Sequence, residues 1–186
     1  HTKKVYRSLD VLTHPPPDAL IVTGPAPLPL APREEAYWPS LAKVIDWARE
    51  NTISTIFSCL AAHAAVLHLD GVARRPLPNK LFGVFDETIA EPHALTKGIG
   101  GLSVPHSRWN EVSATALLGR DYDVLTQSRE AGVDLFVKQA SQPLVFFQGH
   151  PEYDSRTLFR EYRRDVQRFL MGDQETYPCL PKNYFN

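Results

Sequence analysis

An α/β fold with a mostly parallel sheet is what the sequence predicts, and three observations carry that reading. Three short apolar runs, 20–23, 54–58 and 144–148, look like strands, and runs of this continuous kind suit a sheet buried on both faces. Stretches with helical character follow the first two runs and the last. Each run also ends in residues that could do chemistry. In a parallel sheet those ends meet at one edge, where open α/β folds bind ligands. With 186 residues the chain is long enough for one sizeable domain, taken as 1–186.

The elements follow in order. Residues 1–18 are polar and turn-rich, ending in His14-Pro15-Pro16-Pro17-Asp18. Ala19 to Thr23 is the first strand, stopped by Gly24. The loop after it, Pro25-Ala26-Pro27-Leu28-Pro29-Leu30-Ala31-Pro32, holds too many prolines for a helix or a central strand. Glu34 to Asn51 predicts a helix, with Tyr37, Leu41, Val44, Ile45, Trp47 and Ala48 on one stripe. Trp38 and Trp47 read as packing residues. Ser54 to Ser58 is a strand that runs straight into a small-residue helix from about Cys59 to Leu69, closed by Gly71. Pro76 to Lys80 predicts a loop and Leu81 to Ile89 a strand. Gly98 to Gly101 is a turn, and Leu102 to Trp109 a short extended segment limited by Pro105. Tyr122–Ser128 and Gly132–Gln139 predict an antiparallel hairpin. Leu144 to Gln148 is the last apolar strand. Asp154 is a good N-cap for a helix from about 155 to 170, with Leu158, Tyr162, Val166, Phe169 and Leu170 on its buried side.

The totals exclude several function classes. Lys and Arg number 20 against 21 Asp and Glu, and no basic tract or RNA-type aromatic motif appears, so no nucleic acid and no anionic membrane is expected as a partner. The longest apolar stretch, Cys59 to Leu69, is too short to span a bilayer. His1-Thr2-Lys3-Lys4 has no hydrophobic segment behind it, so no signal peptide is read and a cytoplasmic location is expected. Cys59 and Cys179 are expected as free thiols in that reducing compartment.

Chemistry concentrates at Cys59. A strand-to-helix turn lifts its side chain clear of the sheet, and unpaired N–H groups at the helix start favour thiolate over thiol. A nucleophilic thiol needs a base and a group that orients the base. Gly149-His150-Pro151-Glu152 offers both, at the end of a buried strand and across a turn. The Leu60 backbone N–H, with one donor from the 24–30 loop, could hold an oxyanion. His63, one helical turn after Cys59, is the competing base, but it would lie beside or below the thiol rather than across from it. A zinc deaminase reading of His150-Pro151-Glu152 with Pro178-Cys179 fails for lack of a second cysteine. His63 and His68 do not share a helix face, so no metal site is expected.

The chain resembles the homoserine O-acyltransferases of the homoserine transsuccinylase type. Gly24, Tyr37-Trp38, Ser54-Thr55, Cys59, Leu77 to Phe85, Pro105-His106-Ser107-Arg108, Gly149 to Asp154, Tyr162 to Asp165 and Pro181-Lys182-Asn183-Tyr184-Phe185 carry the likeness, in order along nearly the whole chain. The resemblance implies a flavodoxin-like, class I glutamine-amidotransferase-like fold, with a mostly parallel sheet, helices on both faces and an antiparallel hairpin. It implies an enzyme with no bound cofactor, in methionine or cysteine biosynthesis. Acetyl-CoA or succinyl-CoA would acylate Cys59, and homoserine or serine would take the acyl group, with His150 as base and Glu152 orienting it. Arg164 matches the acceptor-binding arginine and Ser107, beside Arg108, the serine contact; Lys80 matches a lysine of the site. Guanidinium suits a carboxylate because it binds in bidentate fashion.

Several positions depart from the family pattern. Leu60 and His63 replace the usual tryptophan and glutamine. Leu28 stands where glycine marks succinyl-CoA users and glutamate acetyl-CoA users. Leucine cannot pair with a succinyl carboxylate, so acetyl is favoured. The chain starts after the family's N-terminal segment, which would leave a sheet edge exposed. A homodimer is expected by analogy with the family. Two rival readings are a glutamine-amidotransferase-like cysteine hydrolase, against which the missing Gly-x-Cys-x-Gly glycines count, and a non-catalytic descendant.

Overall fold

The computed structural model describes residues 15–25 and 31–185. Strand β1 (Ala19–Thr23) pairs in parallel with β2 (Ser54–Ser58), and β2 with β9 (Leu144–Phe147). Antiparallel β8 (Leu135–Lys138) and β5 (Tyr122–Val124) complete a five-stranded sheet of order β1-β2-β9-β8-β5. Among the described residues β1 has a strand partner on one side only. The α/β expectation holds; the sheet is mixed rather than mostly parallel, with its three parallel strands together.

Helices α1 (Trp38–Asn51) and α2 (Leu60–Asp70) pack on β1 and β2. Ile45 of α1 joins Ala61, Ala62, Ala65 and Val66 of α2 in one buried cluster with Phe57, Phe136, Phe146 and Tyr122 from the sheet. The aromatic rings follow the strand register. Phe57 faces Phe146 and Phe146 faces Phe136, with ring centroids 5.4 and 4.9 Å apart and nearly parallel planes. Each fully buried ring contributes roughly 1.5–3 kcal/mol by area alone. Alanines at the helix surface let α2 sit close on that aromatic row. This explains why Leu60 to Val66 are all buried.

A second sheet of order β4-β3-β6-β7 stands beside the first. It is formed by β3 (Arg75–Ile89), β4 (Leu102–Glu111), β6 (Thr126–Ser128) and β7 (Gly132–Val133). A short helix α3 (Ala114–Leu117) follows β4, and α4 (Thr157–Leu170) follows β9. Among the described residues no helix is long and apolar enough to cross a membrane.

Five features differ from the sequence expectation. The first long helix begins at Trp38, not Glu34. Pro32–Glu34 form a 3-10 turn, Glu35 is extended, and Pro39 sits in the first helical turn, where its missing N–H costs nothing. Pro76 to Lys80 are strand: Arg75 pairs with Glu111 and Pro76 with Asn110, and a register shift then absorbs the prolines before Leu81. The expected hairpin divides between two sheets, with β5 pairing β8 in the first and β6 pairing β7 in the second. Asp154 stands before the helix rather than at its cap: its Oδ1 accepts from the Arg156 N–H at 2.8 Å and the Thr157 hydroxyl at 2.7 Å. Leu170, expected on the buried side, is 76% exposed.

The C-terminal segment is pinned on β3. Lys182 donates to Phe82 O and accepts from Val84 N–H, both at 2.9 Å, around Gly83. Gly83 has φ +149°, and a Cβ there would lie 2.4 Å from Lys182 O. Gly83→Ala is expected to destabilise the fold by about 1–3 kcal/mol through this overlap, and to loosen the segment around Lys182. Urea denaturation and limited proteolysis measure both. An unchanged midpoint with an equally protected C-terminus would contradict the pinning.

Candidate active site

The ends of β2 and β9 create the site. Ser58 pairs with Phe147, and the Cys59 N–H then donates to Phe147 O at 2.8 Å. The chain turns sharply there. Cys59 has φ 52° and ψ −115°, a conformation rarely adopted by residues other than glycine, and α2 starts at the next residue. Strain of this kind points the thiol away from the sheet. Gly24, at the end of β1, lies against the start of α2; a Cβ there would be 2.6 Å from Leu60 Cβ. Three parallel strands thus deliver Gly24, Cys59 and Gly149-His150 side by side.

His150 is held from behind. Its backbone N–H donates to Pro105 O at 2.8 Å, and its Nδ1 lies 2.9 Å from Glu152 Oε1. Tyr153 stacks on the imidazole with centroids 4.1 Å apart. The Ser58 hydroxyl reaches both carboxylate oxygens of Glu152, at 3.0 and 2.9 Å, and Gly149 O at 3.2 Å. Ser58 therefore ties the orienting carboxylate to the strand that ends in the thiol. Burial pulls the His150 pKa down, but hydrogen bonds to Cys59 and Glu152 outweigh it and raise the pKa to about 9. Burial likewise opposes ionisation of Glu152, but the bond from His150 prevails and keeps its carboxyl below the usual range.

Cys59 and His150 open on a cavity of about 550 Å³ that Lys80, Ser107 and Arg164 also line. Lys80 lies 3.0 Å from Asp165 and 3.8 Å from Glu161. Arg164 donates through Nε and Nη2 to Asp165 Oδ1 at 3.0 Å and lies 3.6 Å from Glu161. Glu161 also accepts from Ser107 and Tyr153, at 2.6 and 2.5 Å. Two cations and two anions thus form a closed set in the cavity wall. Lys80 also stands 4.1 Å above the Phe82 ring.

Arg108, expected beside Ser107 as a substrate contact, is not brought to this cavity. Successive strand residues face opposite ways, so Ser107 looks into the cavity while Arg108 shares the inner face with Val104 and His106. Its guanidinium donates to Asn110 O at 2.8 Å, Ala131 O at 2.5 Å and His106 Nδ1 at 3.2 Å, and the residue is 2% exposed. Leu28 and the rest of 26–30, in the loop expected to give a second oxyanion donor, lie outside the described residues.

His63 is a core residue rather than a cavity residue. Its Nε2 lies 3.0 Å from Gln148 Oε1, and that oxygen also accepts from the Val112 N–H at 2.6 Å. The Gln148 amide donates to Val112 O and Val133 O. Burial, helped by the Arg108 charge, pulls the His63 pKa down to about 3. A neutral His63 therefore fastens α2 to the strand end that carries His150.

Sequence reasoning missed Ser58, Glu161, Asp165 and the Gln148 amide. Only Ser58, next to the thiol, carried a local signal. Both cysteines are free, Cys59 half-buried and Cys179 exposed, and Cys179 lines the same cavity.

A family profile for homoserine O-succinyltransferase matches residues 1–186. Curated proteins of that name from Methylorubrum extorquens and Bradyrhizobium japonicum are 50% and 51% identical over 186 and 187 residues. The matches take in 100% of this chain but 56% and 58% of those proteins, so the chain spans about half the length of the curated relatives it matches. A glutamine amidotransferase from Thermotoga maritima has a similar structure, with a TM-score of 0.59 at 12% identity over 89% of this chain and 70% of that one. That likeness concerns the fold alone and agrees with the class I glutamine-amidotransferase-like expectation. Matched by the profile along its whole length, the chain belongs to the homoserine O-succinyltransferase family.

Proposed function

We propose that residues 1–186 form an acyltransferase domain that moves a succinyl group from succinyl-CoA, through a thioester on Cys59, to the hydroxyl of homoserine. The observation that carries this reading is the strained Cys59 at the β2–α2 junction, with His150 and Glu152 at the end of the neighbouring strand. The names of the relatives support succinyl as the group transferred. The acetyl preference expected from Leu28 finds no such support, and Leu28 lies outside the described residues.

In this reading the Cys59 sulfur attacks the thioester carbonyl, with the Leu60 N–H facing the developing oxyanion. The bond to the CoA sulfur breaks, and the His150 imidazolium gives that sulfur a proton. Acylation removes the charge on Cys59 that keeps His150 protonated. Burial then lowers the imidazole pKa, and the neutral ring can take the proton of the acceptor hydroxyl as its oxygen attacks. Cys59 leaves as thiolate and the starting ion pair returns. Arg164 is the group proposed for the acceptor carboxylate, in exchange for its bonds to Asp165, and Ser107 and Lys80 line the same place. A cysteine hydrolase on this fold would instead release the acyl group to water.

Intact-mass measurement tests the first half. Incubation with succinyl-CoA and no acceptor is expected to add one succinyl group, absent in Cys59→Ala. No adduct with either succinyl-CoA or acetyl-CoA would reject the transfer chemistry, and an adduct with acetyl-CoA alone would reject the donor. His150→Ala is expected to lose both half-reactions while His63→Ala keeps measurable turnover. Arg164→Ala should still form the adduct but release it to homoserine at least about tenfold more slowly, the loss of a charged hydrogen-bond pair.

The coupling between thiol and imidazole has its own test. Replacing Cys59 by Ala removes the partner that raises His150 most and leaves burial to lower it. The imidazole titration, followed by NMR, should move down from about 9 toward or below the ordinary 6.5. A titration that stays near 9 in Cys59→Ala would show that Glu152 alone holds the proton.

A further inference from the structure

Against Gly149, one residue before His150, lie three ionisable side chains with no water contact. Glu87 comes from β3, His106 from β4 and Asp134 from the link between β7 and β8. All three are buried, and His106 and Asp134 are 0% exposed. His106 Nε2 is 3.7 Å from Glu87 Oε1 and 3.7 Å from Asp134 Oδ1. One ligand atom from each residue falls within 4.8 Å of the others. These gaps are too long for direct hydrogen bonds. They fit atoms that share one small cation at about 2.0–2.3 Å.

Several of their atoms lack partners: among the described residues Glu87 Oε1 and Oε2, His106 Nε2 and Asp134 Oδ2 are buried with no hydrogen-bond partner. Most buried polar atoms in proteins are paired, and four unpaired ones on three neighbouring residues call for an occupant. Arg108 supplies one positive charge nearby but spends its hydrogen bonds on two carbonyls and His106 Nδ1. We propose that Glu87, His106 and Asp134 form a site for a divalent transition-metal cation of the zinc class, held by one ring nitrogen and two carboxylates.

The donor set is what such a cation takes, imidazole nitrogen with carboxylate oxygen. Charge balances as well. Arg108 Nε donates to His106 Nδ1 at 3.2 Å, which leaves the ring proton of the metal-free chain on Nε2. Bonding of Nε2 to the cation moves the ring proton to Nδ1, where the Arg108 donor gives way, and displaces to solvent the proton that burial holds on Glu87, whose pKa is raised to about 8. Two carboxylates and the neutral ring then match a dication. Glu87 also lines a cavity of about 280 Å³ with Thr96, Thr126, Ile99 and Leu102, with its carboxylate turned inward and buried. The site also reaches the base: Asp134 Oδ1 accepts the Gly149 N–H at 2.7 Å, one residue before His150. A filled site would stiffen the strand end that presents the imidazole.

The three residues lie on two strands and a link between strands, without ligand-type spacing, which is why the sequence led to an expectation of no metal site.

The test uses the chain stripped with chelator, in a Cys59→Ser/Cys179→Ser background so that thiols do not capture the metal. After equilibration with Zn²⁺ and desalting, metal content by mass spectrometry is expected at about one ion per chain, with proton release on binding and a Tm that rises with Zn²⁺ concentration. Glu87→Gln, nearly the same shape, should weaken binding at least tenfold and abolish the Tm response. If that variant fails to fold by circular dichroism, Asp134→Asn, which keeps an acceptor for Gly149, serves in its place. No retained Zn²⁺, or equal retention by background and variant, would overturn the site and leave the cluster held by protons alone.

Discussion

The parallel pairing of β2 with β9 is the constraint on which the rest of the site depends. It aligns Ser58 with Phe147 and puts the next residue of one strand beside the next two of the other. The bond from Cys59 N–H to Phe147 O extends the pairing one step past the sheet, to the residue with positive φ. A one-residue slip would reverse which side chains meet the aromatic row of Phe57, Phe146 and Phe136. The core that sets the register therefore also sets the distance between thiol and imidazole. Packing and chemistry share one set of hydrogen bonds, and strain at Cys59 is tolerated because the flanking strand and helix are anchored.

Around that pairing, hydrogen-bonded struts limit how the catalytic-type groups can move. Ser58 braces Glu152 from the nucleophile strand. Gln148 joins His63 of α2 to the carbonyls of Val112 and Val133, so the helix, the base strand and the neighbouring sheet are tied at one buried amide. The two departures from the family pattern in α2 acquire a physical setting here. Leu60 packs under Gly24, where a larger ring would need more room, and His63 finds a complete partner in Gln148. On the open side, Glu161 and Asp165 hold Lys80 and Arg164 in the cavity wall. An incoming carboxylate must displace an existing one, which makes acceptor binding an exchange of anions rather than the filling of an empty cationic pocket.

Much of this was legible in the chain itself. Three apolar runs ending in chemistry-bearing residues are a local signal, and they placed Cys59, His150 and Glu152 at one sheet edge. The Gly149-His150-Pro151-Glu152 turn was readable because glycine and proline restrict the backbone there. Helix ends were less secure: Leu170 sits on the apolar stripe by spacing alone, yet among the described residues nothing covers it. Arg108 was misplaced because adjacency in a motif suggested adjacency in space, whereas a strand sends neighbours to opposite faces.

The sequence by itself determined the α/β alternation, the thiol at a strand-to-helix junction and the base and carboxylate at a strand end, because periodicity, turn chemistry and short motifs are local properties. Only the tertiary structure decided that the hairpin divides between two sheets, that Ser58 and Gln148 brace the site, and that Glu87, His106 and Asp134 converge out of water. Those outcomes depend on contacts between residues distant in the chain. No local pattern encodes them, because strand register and sheet packing are settled by the whole core at once.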